Sequence, residues 1–521
     1  MTLNPIPPVA SLRAIPALAM VLVLVALAVA WGLMHYAVGG RVAYTMDSLT
    51  YRDAALQFAA GHPMQSSNVT AQAPKLRPLL NWPPAYPALW ASTLSLANGN
   101  VDDVPALLNP VLLGLTTLAI FGICHMVTGN SMTAGALATV NAFTPTSMIV
   151  YGHAWSETLF IPMLLLAYAA FWKYRISQEK FIWLAAAAVL VGSINWVRYA
   201  GVVFLPILGF SVLAASSSTL GKRIVHAASA MLLGAALAIP LWLRNWQLAG
   251  NISGSARGGI PRFDRWLEDF VTIIDLFEHC FFSFSMVLRA NLEIPILTGA
   301  VFVAYKAFRR SGIQWLRPPE IWLPMIWLTG YLLFLLYARK IQTTVDLDLR
   351  MVAVVFPFLL LAMAPAVSAA FSNRLLDTRK ILVALMLGLL VYAGLDQASR
   401  THRNYAFDGI PRWRSAFGLG FRELRDTSPT SRAIKESIGP VDASTIILTD
   451  YRALYIRYLT GAKVYSPEDK DCAQWAYAST GSLLFLGGAE LPAWAVDCLK
   501  EKSRWRLLRP AGKAAPSMYV D

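Results

Sequence analysis

Long apolar runs recur from near the start of the chain to about Arg400, each close to the ~20 residues a helix needs to cross a hydrocarbon layer. The first covers Ile15–Tyr36. Others cover Val104–Val127, Met132–Val150, Leu159–Trp172, Phe181–Trp196, Val202–Ala215 and Ala227–Trp246. Ile294–Phe308, Ile321–Tyr337, Met351–Phe371 and Ile381–Leu395 follow. The pattern predicts an all-α polytopic membrane domain over 1–399, with about eleven transmembrane helices. Ala28-Val29-Ala30 has the small-x-small look of a cleavage site. The run around it is longer than a secretory h-region, so it reads as an uncleaved anchor.

The polar stretches are as informative. Between the first two runs lies the loop 39–103. Within it Ala54, Ala55, Phe58 and Ala59 recur at helical spacing, which predicts a short amphipathic helix on the membrane surface with Asp47 at its start. Further on, Asn81-Trp82-Pro83-Pro84-Ala85-Tyr86-Pro87 predicts a rigid turn into a second surface helix. After Arg400 the apolar runs stop, and 400–521 reads as a small α/β soluble domain. Ser444–Thr449, Lys463–Tyr465 and Ser482–Leu486 are its expected strands, with a helix starting at Asp450.

Composition sharpens this picture. Of 521 residues, 56% are hydrophobic and 14% charged, where a soluble chain carries about 25% charged residues. That excludes a soluble multidomain enzyme, a disordered scaffold and a disulfide-stapled secreted fold. The net charge of +14 fits basic cytoplasmic loops or a site for anionic head groups or phosphates. No basic, aromatic-interleaved soluble module is present, so nucleic acid is not an expected partner and the lipid bilayer is. Basic residues flank alternate span ends: Arg13; Lys173, Arg175 and Lys180; Lys222 and Arg223; Arg309 and Arg310; Arg374 and Lys380. Placing these inside puts 39–103, 251–293, 339–350 and the tail outside. Cys472 and Cys498 share that tail, where a disulfide and two free thiols are equally open.

One arrangement is specific. An acidic residue, Asp47, follows the first span; then come a helix ending at Gly61, a basic stretch, Pro83-Pro84-Ala85-Tyr86-Pro87 and the second span. This resembles the GT-C superfamily of integral-membrane glycosyltransferases, in the branch of the protein mannosyltransferases and the lipid A aminoarabinose transferases. His153-Ala154-Trp155-Ser156-Glu157-Thr158-Leu159-Phe160 resembles the entry of a later outward loop into its helix in that family. Asp348-Leu349-Arg350-Met351, with Pro357 after it, resembles the family's Arg-initiated span. Three positions depart from the pattern. Asn81 and Trp82 stand where the aminoarabinose transferases have an acidic-basic pair, and Ser48 follows Asp47 where the mannosyltransferases have Glu.

The resemblance implies transfer of a hexose or pentose from a polyprenyl-phosphate donor to an envelope glycan, lipid or protein on the outer membrane face. It also implies a bacterial inner membrane, with the site and the tail on the periplasmic side. Such chemistry needs a general base for the acceptor hydroxyl and cations for the leaving phosphate. Asp47 and Glu157 are the catalytic candidates; a helix cap and a favourable helix-start charge are their structural alternatives. Arg350, Arg198, Arg257 and Lys75 are candidates for the donor phosphate, with snorkelling the alternative for Arg198. Asp53, His153 and Tyr86 are secondary candidates. A divalent metal stays open, with no ligand set assigned. The 258–270 segment is a candidate lid. A lipid-linked glycan transporter or flippase, and a catalytically inactive membrane scaffold, are the alternative readings.

Overall fold

A computed structural model describes residues 23–32, 42–66, 76–216, 218–254, 266–281, 318–341, 349–372, 388, 391–396, 446–449, 463–465, 483–486 and 505–508. The expected span Ile294–Phe308 lies outside them, as does most of Ile381–Leu395. Four described helices are long and apolar enough to cross a membrane: α4 (Val104–Thr128), α7 (Glu157–Ile176), α10 (Leu220–Ala249) and α12 (Pro319–Ile341, apolar over Pro319–Ala338). Shorter apolar helices stand beside them: α1 (Val23–Gly32), α8 (Phe181–Ile194) and α9 (Phe204–Ala215), the last preceded by a 3-10 turn over Tyr199–Val203.

Two expected spans are broken. Met132–Val150 is divided into α5 (Ser131–Phe143) and α6 (Pro145–Tyr151). Thr144 between them is extended, at ψ 149, because the ring of Pro145 excludes the helical region for the residue before it. The Thr144 hydroxyl then caps α6 by accepting from Ser147 N. The 351–371 run is likewise divided into α13 (Leu349–Ala353) and α14 (Phe356–Ser372), with Pro357 at the start of the second piece.

Helix starts and stops follow local chemistry. Asn130 caps α5, accepting from Met132 N and Thr133 N. Gly129 and Gly250 end α4 and α10 in the left-handed conformation, at φ 66° and 70°. Lys173 and Arg175 in the last turn of α7 complement its dipole. The α8–α10 crossing requires glycine. A Cβ on Gly192 would stand 2.5 Å from Gly234 O and 2.9 Å from Leu237 Cβ, so only two glycines let the backbones approach.

The core is rich in aromatics. Trp327, Tyr168, Phe171, Phe204 and Phe358 pack ring against ring where α7, α9, α12 and α14 meet. At one end of the bundle α2 (Met46–Ala59) and α3 (Ala85–Thr93) pack on each other, and α3 also meets α4. The buried face of α2 is not an apolar stripe. It mixes Ser48 and Thr50 with Leu49, Tyr51, Ala54 and Ala55, so α2 belongs to a packed cap rather than to an isolated surface helix. A short antiparallel pair, β1 (Gln65–Ser66) and β2 (Arg77–Pro78), follows it.

Farther along the chain, β3 (Ile446–Thr449), β4 (Lys463–Tyr465), β5 (Leu483–Leu486) and β6 (Trp505–Leu508) form a parallel sheet in the order β4-β3-β5-β6. Parallel neighbours need crossover connections, and the residues between these strands, with the helix expected from Asp450, lie outside the described ones. The fourth strand, at Trp505–Leu508, is not among the expected ones.

Candidate active site

The α2 start shapes the site. Its cap is Thr45, extended at φ −117° and ψ 179°, with the Thr45 amide donating to Ser48 Oγ at 3.0 Å. Asp47 is therefore not the cap. It stands in the first turn, where a negative charge suits the helix dipole and its side chain is spared for another partner. That partner is Arg350 on α13, in a direct ion pair that joins positions 303 residues apart.

The loop before α7 supplies the floor. Ala43 and His153 form a parallel bridge, with Ala43 N donating to Gly152 O and Ala154 N to Ala43 O, both at 2.9 Å. Asn109 on α4 donates from its amide to Tyr151 O at 2.7 Å and His153 O at 2.9 Å. The loop is thus fixed before its functional side chains are counted. Trp155 donates its indole N–H to Thr45 Oγ1 at 3.1 Å, and the Arg350 guanidinium lies 5.3 Å over the Trp155 ring, a cation–π contact.

Arg198 arrives from the turn after α8. The Ala85 amide donates to Trp196 O at 2.9 Å, so the double-proline turn is tied to the Arg198 turn. Arg198 pairs with Glu157 and donates from Nη1 to Ser156 Oγ at 3.2 Å. The Tyr51 hydroxyl stands 3.1 Å from the same Ser156 Oγ. Three consecutive residues, Trp155, Ser156 and Glu157, therefore serve both arginines.

The two ion pairs differ in exposure. Asp47 and Arg350 are 19% and 15% exposed, whereas Glu157 is 1% exposed behind Arg198. Burial works against the Arg198 charge, but Glu157, with Tyr51 and Tyr331, more than offsets it and holds the guanidinium's pKa above its ordinary value. Burial, followed by the charge of Asp47, pushes the Tyr51 phenol well above its ordinary range, so it stays a neutral hydroxyl.

The structure thus brings four expected residues together: Asp47, Glu157, Arg198 and Arg350. It separates others. Asp53 accepts from Ser66 Oγ at 2.9 Å and so secures β1 to α2. His153 is buried, stacked on Trp155 with ring centroids 4.2 Å apart, with Nδ1 2.6 Å from Ile149 O. Tyr86 is buried edge-on against Tyr51 at 5.2 Å, so it forms a wall behind the site rather than a contact surface. Lys75 and Arg257 lie outside the described residues. So does most of the expected 258–270 lid, while its end from Trp266 onward is the start of α11 (Trp266–Phe281), which packs against α13 and α6. Among the described residues no three His, Cys, Asp or Glu side chains gather as a metal would require. Sequence reasoning missed Tyr51, Trp155 and Ser156. Tyr51 stands four residues after Asp47, on the same helix face, and the other two directly precede Glu157.

By sequence the chain matches no protein-family model and no curated protein. By structure it is similar to ArnT from Cupriavidus metallidurans. The form bound to undecaprenyl phosphate aligns at 11% identity and TM-score 0.53, over 94% of this chain and 90% of that one. The apo form aligns at 11% identity and TM-score 0.55, over 86% of each chain. The Archaeoglobus fulgidus oligosaccharyltransferase tethered with an acceptor peptide aligns at 13% identity and TM-score 0.47, over 86% of this chain. This chain spans 64% of the length of that enzyme. The chain shares the fold of the ArnT structures.

Proposed function

We propose that the protein is a membrane glycosyltransferase that moves a sugar from a polyprenyl-phosphate donor to an envelope glycan, lipid or protein acceptor. The observation that carries this reading is the convergence of two arginines and two carboxylates, Arg350 with Asp47 and Arg198 with Glu157, at one end of an ArnT-like bundle. The similar ArnT binds undecaprenyl phosphate, a lipid anion of the chemistry that two guanidinium groups suit.

In the proposed reaction the acceptor oxygen attacks the anomeric carbon of the donor sugar. The bond from that carbon to the phosphate oxygen breaks, and the lipid phosphate leaves with the electron pair. Asp47 takes the acceptor proton as general base. Arg350 and Arg198 stabilise the charge that grows on the phosphate. The four side chains sum to zero charge at rest, so an arriving phosphate competes with a carboxylate for its arginine. The Asp47–Arg350 pair, whose carboxylate is 19% exposed against 1% for Glu157, is the one that can exchange: when the phosphate engages Arg350, Asp47 is released to act as a base. Glu157 keeps Arg198 charged and in place. The periplasmic side of a bacterial inner membrane is the proposed location.

Mass spectrometry of envelope glycolipids and glycoproteins from cells with the gene intact, deleted or carrying Asp47→Asn tests this reading. A sugar-bearing species should vanish in the deletion and in the variant alike. An unchanged glycan profile in Asp47→Asn at normal protein level overturns the catalytic assignment.

One observation favours a transporter as the second reading. The breaks at Thr144–Pro145 and before Phe356 face a small cavity lined by Thr116, Asn141, Thr146 and Tyr151, and broken helices with polar groups mark many transport sites. Movement of a labelled lipid-linked sugar across reconstituted vesicles without transfer would favour it.

A further inference from the structure

Ser156 Oγ is fully buried and has three neighbours: Arg198 Nη1 at 3.2 Å, Tyr51 OH at 3.1 Å and Glu157 Oε2 at 3.4 Å. A serine hydroxyl has one proton and two lone pairs. Arginine only donates, so it takes one lone pair. The carboxylate only accepts, so it takes the proton. The remaining lone pair is left for Tyr51, which must then donate. The roles at this hydroxyl are thereby fixed, and they hold only while Tyr51 is protonated, as its burial beside Asp47 and Glu157 ensures. The Tyr51 ring is itself clamped edge-on by Trp82 at 5.8 Å and Tyr86 at 5.2 Å, so its hydroxyl cannot wander.

We propose that Tyr51, acting through Ser156, is a positioning residue that holds the Arg198 guanidinium in the orientation that receives the donor phosphate. This rests on the donor reading above. Tyr51 lies one helical turn from Asp47, so the same turn of α2 sets the base directly and the second arginine through Ser156. Tyr51 is not a catalytic residue, because its hydroxyl is spent on Ser156 and is 2% exposed as a residue.

The experiment uses the full chain in lipid nanodiscs, with Tyr51→Phe, Ser156→Ala and the double variant. Phenylalanine keeps the ring contacts and removes only the donor. Two readouts are taken. The first is the rate at which phenylglyoxal modifies Arg198, followed by peptide mass spectrometry, which needs no donor. Tyr51→Phe and Ser156→Ala should each raise that rate several-fold, with Arg52, which is held by Asp102 at 2.6 Å, as the unaffected internal reference. The second is binding of undecaprenyl phosphate. Tyr51→Phe should weaken it about fivefold to tenfold, the size expected for one lost hydrogen bond, and the double variant should be no weaker than Ser156→Ala alone. A general loss of structure would instead raise the modification of both arginines. An unchanged Arg198 rate in Tyr51→Phe, or effects that add in the double variant, overturns the proposal. Absent binding of undecaprenyl phosphate by the unsubstituted protein, with the Arg198 rate still changed, overturns the donor reading and leaves the relay as a structural device only.

Discussion

Both ends of the bundle carry arginine–carboxylate or lysine–carboxylate pairs, but they are built differently. At the end opposite Asp47, Arg175 reaches Glu320 at 3.6 Å, and Lys222 lies 3.9 Å from Glu179, which also receives the Ser216 hydroxyl. Each of these ties neighbouring elements: Arg175–Glu320 fastens α7 to α12, and Glu179 gathers the turn between α9 and α10. The pairs serve separate seams. At the Asp47 end Arg52 likewise ties α2 to Asp102, but the other two pairs share one loop, 153–157, and Arg350 is close enough to Arg198 to oppose its charge. Two like charges brought together against their repulsion are costly as a device for stability alone. The same chemistry thus reads as fastening where pairs stand apart and as a site where they meet, and what separates the two is convergence, not residue type.

The sharpest test of that contrast is Arg350→Ala. Removing a donor aimed at developing charge costs about a hundredfold to a thousandfold in rate. Steady-state transfer should fall by that much while the melting temperature changes little, because the carboxylate left unpaired, Asp47, keeps contact with water. Glu157→Gln comes next and should act mainly on stability. It leaves the Arg198 charge buried without its counter-ion, a loss of about 3–5 kcal/mol, read as a lowered melting temperature and reduced protein level. Adding Arg198→Gln to it should restore much of the stability but not the binding of undecaprenyl phosphate. If Glu157→Gln instead left stability intact and abolished transfer, Glu157 would be a reacting group and the division between the pairs would fail. Glu320→Gln at the other end should cost about 1 kcal/mol or less and leave transfer within twofold. A large loss of transfer there would show that the two ends are coupled.

These outcomes bear on what the sequence could reveal. Asp47, Glu157, Arg198 and Arg350 are all legible as candidates, because a charge at the edge of an apolar run is conspicuous. Their pairing is not legible, since it joins residues 41 and 303 positions apart and depends on how α2, α7, α8 and α13 pack. The apolar runs mark where helices exist but not where they break. Hydropathy is continuous across Thr144–Pro145, and only the steric rule for a residue before proline foretells the interruption. Tyr51, Trp155 and Ser156 lie inside stretches that do attract notice. Their roles emerge only once burial removes water and leaves each hydroxyl or indole N–H to find a protein partner.

The smallest effect is expected at Asp53, and it isolates position from chemistry. Asp47 and Asp53 lie on one helix six residues apart, which turns their side chains about 120° from each other around its axis. Asp53 accepts a hydrogen bond from Ser66 and thereby helps hold β1, whereas Asp47 faces Arg350. Asparagine can still accept from Ser66, so Asp53→Asn should lose well under ~1 kcal/mol of stability and keep transfer within twofold. The identical replacement at Asp47 removes a charge that the site needs. Comparing initial rates of the two variants at equal protein level therefore asks whether a carboxylate anywhere on this helix suffices. Equal losses in both would mean that α2 contributes only its overall charge or its fold, and the assignment of the base to Asp47 would fall.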